Sequence, residues 1–162
     1  MKVWVLACVA VGGGSAWDPA GATTITVPTE APTIQGALDA GADTVMIRPG
    51  VYQETPVILR PVLMFGLSET PEDRPTLAGL AIRVVNHDGP VQDLEFRGLA
   101  IVAQVTIVSD YGSYDIIFVE CELRDGAVDQ SQFGDTFGMT LSRCLLAGST
   151  ALYVRQASID TC

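Results

Sequence analysis

Four aspartates recur at one spacing: Asp110 follows Asp88 by the same step as Asp115 follows Asp93. If the chain returns on itself with that period, the members of each pair stand side by side, about 5 Å apart. Two carboxylates at that distance repel unless a proton or a cation lies between them. The chemistry on offer is a calcium site, with Asp88 and Asp110 as its candidates, or an acid/base pair with His87 and Arg83 nearby. Calcium takes about six to eight oxygens, so Asp115 or carbonyls of the Asn86 and Ser109 turns would have to join in. The plainer reading is that Asn86-His87-Asp88-Gly89 and Ser109-Asp110-Tyr111-Gly112 are Asx-type turns with solvated side chains. On that reading the repulsion costs little, calcium changes nothing, and no cofactor is implied. His87 is the single histidine, which rules out paired-histidine zinc motifs. No Gly-rich phosphate loop follows a strand, and no Gly-x-Ser-x-Gly elbow is present.

The elements that would hold these aspartates emerge from a repeat. The segments 94–101, 116–123 and 139–146 superimpose, with Phe96, Phe118 and Leu141 equivalent and almost equal steps between them. Each reads apolar, any, apolar, any, any, apolar, any, apolar. The first alternation is a strand with one face inward, the two intervening residues turn the chain, and the second alternation is another short strand. Further β-rich pieces lie at Ile82-Arg83-Val84, Val105-Thr106-Ile107 and Leu152-Tyr153-Val154. No helix-length periodic segment interrupts them. A period of about 22 residues with two or three strands and no helix predicts an all-β fold, a parallel β-helix. Equivalent positions then stack as ladders: Phe96, Phe118 and Leu141; Leu99, Cys121 and Cys144; Ile101, Leu123 and Leu146. Cys121 and Cys144 read as small buried hydrophobes in such a ladder, with a disulfide between neighbouring coils as the alternative. Cys162 makes the count past the N-terminus odd, unlike a disulfide scaffold.

Residues 1–22 stand outside this pattern. Lys2 precedes an unbroken apolar run, Val3 to Val11, and small residues follow up to Ala20-Gly21-Ala22. That layout is a short secretory signal cleaved after Ala22, too short to cross a bilayer as a helix, which takes roughly 20 residues. A buried N-terminal strand and a lipobox ending at Cys8 are the alternatives. The expected domain is therefore 23–162, secreted or held at the cell surface or in the periplasm.

The stretch from Ile25 to Val62 carries a family resemblance. It holds Ile25-Thr26-Val27-Pro28, then Pro32-Thr33-Ile34-Gln35-Gly36-Ala37-Leu38, and then Asp43 through Pro49-Gly50-Val51-Tyr52-Gln53-Glu54. This resembles the entry of the pectin-lyase-like superfamily of right-handed β-helices, and most closely that of pectin methylesterases and bacterial secreted β-helix repeat proteins. The resemblance implies a short N-terminal capping helix, with Thr33 as its cap, Ile34, Ala37 and Leu38 on one face, and Gly41 as its end. It also implies a polysaccharide lyase, pectin esterase or glycoside hydrolase. The aspartates, arginine and glutamines that work in pectin methylesterases have no counterpart motif here. The stretch from Asp43 to Cys162 makes roughly five coils, and its end reads as the start of another strand, so the chain is expected to be a fragment of a longer array.

Charge narrows the partners. Nine basic against 19 acidic residues give a net charge of −10, which speaks against nucleic acid or an anionic membrane. With 48% apolar and 17% charged residues, disorder is excluded. Two functions remain: a polysaccharide-active enzyme or its N-terminal part, and a non-catalytic surface or adhesion module that binds glycan. The acidic balance favours the second, because a polyanionic substrate is repelled without calcium or arginines. Stacked outward Arg, Asp and Gln residues would favour the first, but Arg83, Thr106 and Tyr153, at roughly equivalent strand positions, are an inconsistent set. Tyr111, Tyr114, Phe133, Phe137 and Tyr153 are the aromatics that could line a glycan groove. The state of association is expected to be a monomer or part of a longer chain.

Overall fold

A computed structural model describes residues 22–84, 94–102, 104–109, 115–125, 127–130, 138–148, 151–153 and 157–160. The chain enters through strand β1 (Thr24–Val27) and helix α1 (Ile34–Asp39), then winds through β2 (Thr44–Ile47), β3 (Val51–Tyr52) and β4 (Val57–Ile58). The next coil is β5 (Leu63–Gly66), β6 (Thr76–Leu77) and β7 (Leu80–Val84), and the one after it β8 (Leu94–Arg97), β9 (Ala100–Val102) and β10 (Val105–Ser109). There follow β11 (Asp115–Val119), β12 (Glu122–Arg124) and β13 (Ala127–Gln130), then β14 (Gly138–Ser142), β15 (Leu145–Ala147) and β16 (Ala151–Tyr153), and last β17 (Ala157–Asp160).

Every strand pairing is parallel, and each coil gives one strand to each of three sheets. Sheet A runs β1-β2-β5-β8-β11-β14-β17, sheet B β3-β6-β9-β12-β15 and sheet C β4-β7-β10-β13-β16. The molecule is a right-handed parallel β-helix, with the parallel coils that the repeat predicts and the hand that the resemblance implies.

The ladders fall where the spacing puts them. Phe118 is in register with Phe96 on one side and Leu141 on the other, and the two rings stack with centroids 5.0 Å apart. Ile101, Leu123 and Leu146 align in sheet B. Between these rows, Leu99, Cys121 and Cys144 are all buried. Full burial of each large apolar side chain stabilises the stack by about 1.5–3 kcal/mol.

The period is less uniform than the repeat alone indicates. In sheet A, Val45 is in register with Met64, Met64 with Phe96, and Leu141 with Ile159. The first and last of these steps are shorter than the repeat, and the middle one is much longer. Sheet strands must match in length, whereas corners are free to grow. The extra residues therefore collect at corners, and one long corner, 67–75, joins β5 to β6.

Where the corner from sheet A to sheet B is short, it is two residues long and one of them is left-handed. Gly98, Glu120 and Arg143 occupy this place in successive coils, with φ of 62°, 54° and 53°. Their amides continue the ladder to Val119, Ser142 and Asp160 carbonyls at 3.0, 2.9 and 2.9 Å. Glycine adopts this conformation freely, while glutamate and arginine accept a cost of about 1–2 kcal/mol each.

The entry is built differently. Thr33 caps α1 by accepting from the Gly36 amide, and Ile34, Ala37 and Leu38 are its buried face. Gly41 follows with φ 89°. The capping helix thus has the bounds, the cap and the face that the motif implies. Glu54 reaches back to it: its Oε1 accepts from the Ile34 amide at 2.9 Å and its Oε2 from the Gln35 amide at 3.1 Å. The Gln35 side chain in turn accepts from the Val57 amide at 2.7 Å. No described strand pairs with the outer side of β4, so a side-chain oxygen here takes the place of a neighbouring carbonyl. Asp43 fixes the start of β1, its Oδ2 accepting from the Thr23 amide at 2.9 Å and its Oδ1 from Arg60 at 3.0 Å. The Thr23 amide first, and Arg60 after it, hold this carboxyl below the usual carboxylate range.

Candidate functional site

Of the residues first marked for chemistry, His87, Asp88, Asp93 and Asp110 lie outside the described residues, as do Tyr111, Tyr114, Phe133 and Phe137. Asp115 opens β11 and is exposed, in register with Gly138. Arg83 lies in β7 and is paired in register with Val108. Thr106 aligns instead with Ala81 on one side and Asp129 on the other, and Asp129 with Tyr153. The rough equivalence of Arg83, Thr106 and Tyr153 is thus refined: Thr106 and Tyr153 share one register, and Arg83 stands two residues further along the strand. The shift arises because β7 and β10 start together at Leu80 and Val105, a register that the sequence, with an irregular corner on either side, does not mark. Among the described residues no three His, Cys, Asp or Glu side chains converge as a metal site would need.

Cys121 and Cys144 are thiols buried in the interior. Their Sγ atoms donate to the Phe96 and Phe118 carbonyls at 3.3 and 3.4 Å, so each points to the backbone of the preceding coil. Burial pushes the Cys121 thiol up to about 12, which keeps it protonated and unreactive.

The feature with the makings of a binding site lies where the repeat is broken. The long corner 67–75 overhangs the tight corner of the following coils and leaves an open groove of about 250 Å³. Its floor is Gly66 and Gly98, which approach so closely that a Cβ on Gly66 would collide with the Gly98 carbonyl. Phe65 forms one wall, and Ser68 and Thr70 come from the overhanging loop. A 3-10 turn, Pro71–Asp73, stiffens that loop, with Thr70 Oγ1 donating to Asp73 Oδ2 at 3.0 Å.

Four charged side chains line the groove: Glu69, Arg74, Arg97 and Glu120. Arg97 is held by Glu95 at 2.5 Å, and Glu120 by Arg143 at 2.8 Å. Arg74 is half-buried. Its charge reaches two neighbours. The Glu72 carboxyl is held below its usual range by its own backbone N–H, by the Thr70 hydroxyl and, in smaller part, by Arg74. The buried Cys121 thiol also feels Arg74, as a minor pull against the effect of burial.

None of these groove residues stood out in the sequence. The signal was present in negative form: the stretch Leu67 to Pro75 is the polar, proline-bounded segment that the repeat pattern cannot accommodate. A second hollow, lined by Leu38, Val57, Leu59 and Arg60, lies beside α1 and is mainly apolar.

Comparison with protein-family models, with curated proteins and with solved structures returned no match. The β-helix assignment therefore rests on the strand order and register of this chain. Among the described residues no helix is long and apolar enough to cross a membrane.

Proposed function

We propose that the protein is an exported β-helix of the pectin-lyase-like type that binds polysaccharide through the corner groove, without acting on it chemically. The observation that carries this reading is the groove itself, an open polar trough with one aromatic wall, hydroxyl groups and guanidinium groups. Saccharide sites combine these features, because sugars offer apolar C–H faces and a dense set of hydroxyls that both donate and accept. Its volume is below the roughly 300–1,000 Å³ of a small-molecule pocket, which suits one sugar unit of a polymer entering and leaving at the open sides.

Binding is favoured over catalysis by the exposure of the groove carboxylates. Glycoside hydrolysis uses a carboxylic acid kept neutral by apolar surroundings, opposite a second carboxylate. Glu69 is exposed, and the Glu120 side chain is 55% exposed. An enzyme of the family would place its reactive residues elsewhere, on coils beyond those described.

Two experiments test this reading. Titration of the full exported chain with a panel of neutral, acidic and amino-sugar oligosaccharides should find at least one binder, and Phe65→Ala should abolish its binding while the fold persists. Binding that is indifferent to Phe65 would remove the groove from the proposal, and product formation from any oligosaccharide would restore the enzyme reading. Export is checked by sequencing the N-terminus of the chain recovered outside the cytoplasm, which should begin near Thr23. A soluble chain that retains Met1 or Lys2 would refute the signal.

A further inference from the structure

The charges in the corner groove are not equivalent. Arg97 and Glu120 are already neutralised by Glu95 and Arg143. Among the described residues, Arg74 and Glu69 have no ion-pair partner, although four other arginines do: Arg60, Arg97, Arg124 and Arg143. Arg48 also stands without a carboxylate, but it is exposed, whereas Arg74 is half-buried. On a chain of net charge −10, a half-buried arginine with no close ion pair among the described residues, and only a minor pull on the exposed Glu72 carboxyl, is the exception. Among the described residues, the same groove thus offers a ligand one guanidinium and one carboxylate that no close ion pair occupies.

We propose that the groove selects a saccharide carrying both a carboxylate and an ammonium group, such as a polymer that alternates uronic acid with an unacetylated amino sugar. This rests on the glycan-binding reading above. Arg74 takes the sugar carboxylate as a planar fork of donors, and Glu69 accepts from the ammonium group. A purely anionic polymer gains at Arg74 but is opposed by Glu69 and by the acidic surface. A purely cationic polymer is attracted by the surface but meets Arg74 in the groove. The dipolar ligand alone satisfies both groups. Because the groove is open to solvent, the interaction weakens as salt rises.

The test is calorimetric titration of the full exported chain with three oligosaccharides of equal length: oligogalacturonate, fully deacetylated chitosan oligomer, and de-N-acetylated hyaluronan oligomer, which carries both charges. The last should bind at least about tenfold more tightly than either of the others. Arg74→Gln should weaken binding of the dipolar oligomer while strengthening that of the chitosan oligomer, and Glu69→Gln should weaken it while strengthening that of oligogalacturonate, so that each variant loses the preference. Arg74→Lys keeps the charge and should retain part of the affinity, which separates the charge from any effect on folding. A ranking with a singly charged probe first, or variants that bind as the wild type does, would overturn the selectivity. If neutral or purely acidic sugars bind in a Phe65-dependent manner as tightly as the dipolar oligomer, glycan binding stands and the dipolar preference falls. If no sugar binds, the glycan-binding reading fails with it.

Discussion

The entry of the molecule, from Thr23 to Ile58, and the coils from Leu94 to Ala147 are held together by different physics. In the coils, stability comes from repetition: Phe96, Phe118 and Leu141 stack in one column, Ile101, Leu123 and Leu146 in another, and each coil supplies the neighbour that the next one needs. At the entry no preceding coil is described beside β3 and β4, and side chains take over the role of the absent backbone. Glu54 caps α1, Gln35 takes the Val57 amide, and Asp43 takes the Thr23 amide. Side chains in the coils are therefore interchangeable by class, apolar for apolar, whereas those of the entry are specific by atom. That contrast accounts for the form of each signal, a loose periodic pattern in the coils and a fixed motif at the entry.

Three substitutions probe the contrast, in order of expected size. Phe118→Ala removes the centre of its column and should cost about 3–5 kcal/mol in chemical unfolding. A cost well under the low end of that range would mean that stacking is not what holds the coils. Glu54→Ala leaves the Ile34 and Gln35 amides without their acceptor and should cost about 1–3 kcal/mol. The loss should appear as faster hydrogen exchange at those two amides and at Val57, with the coil amides unaffected, since stability in a stacked array is carried from neighbour to neighbour. Uniform loss of protection through all coils would show the clamp to be part of one cooperative unit instead. The smallest effect has the opposite sign. Glu120→Gly relieves a left-handed residue at the loss of an exposed ion pair with Arg143, and should stabilise by about 0.5–1 kcal/mol. A clear loss of stability would assign the corner's strength to the ion pair.

Much of this was legible beforehand because it follows from local patterns. The alternation around Phe96, Phe118 and Leu141 states which residues face inward, and the near-equal steps between them state which of them meet. The motif from Pro32 to Glu54 marks a capped helix before the first coil. The role of Glu54 was hidden within it, since a carboxylate so far along the chain reaches the Ile34 amide only because the winding of the coil brings the two together. The positions of Arg83 and Thr106 were only roughly equivalent in the sequence for a related reason: strand register in sheet C depends on corner lengths on both sides, and those do not repeat.

By itself, the sequence determined the all-β coil, its inward ladders, the capping helix and the acidic surface, because periodicity, capping and charge are properties of neighbouring or evenly spaced residues. Only the tertiary structure decided where the groove lies. Phe65, Glu69, Arg74, Arg97 and Glu120 belong to three successive coils, and their meeting depends on a long corner folding over a short one. The left-handed geometry of Glu120 and Arg143 was likewise invisible, since neither residue type favours it. Parallel register demands a sharp corner at that point, and the hydrogen bonds of the flanking strands outweigh the local preference of the side chain.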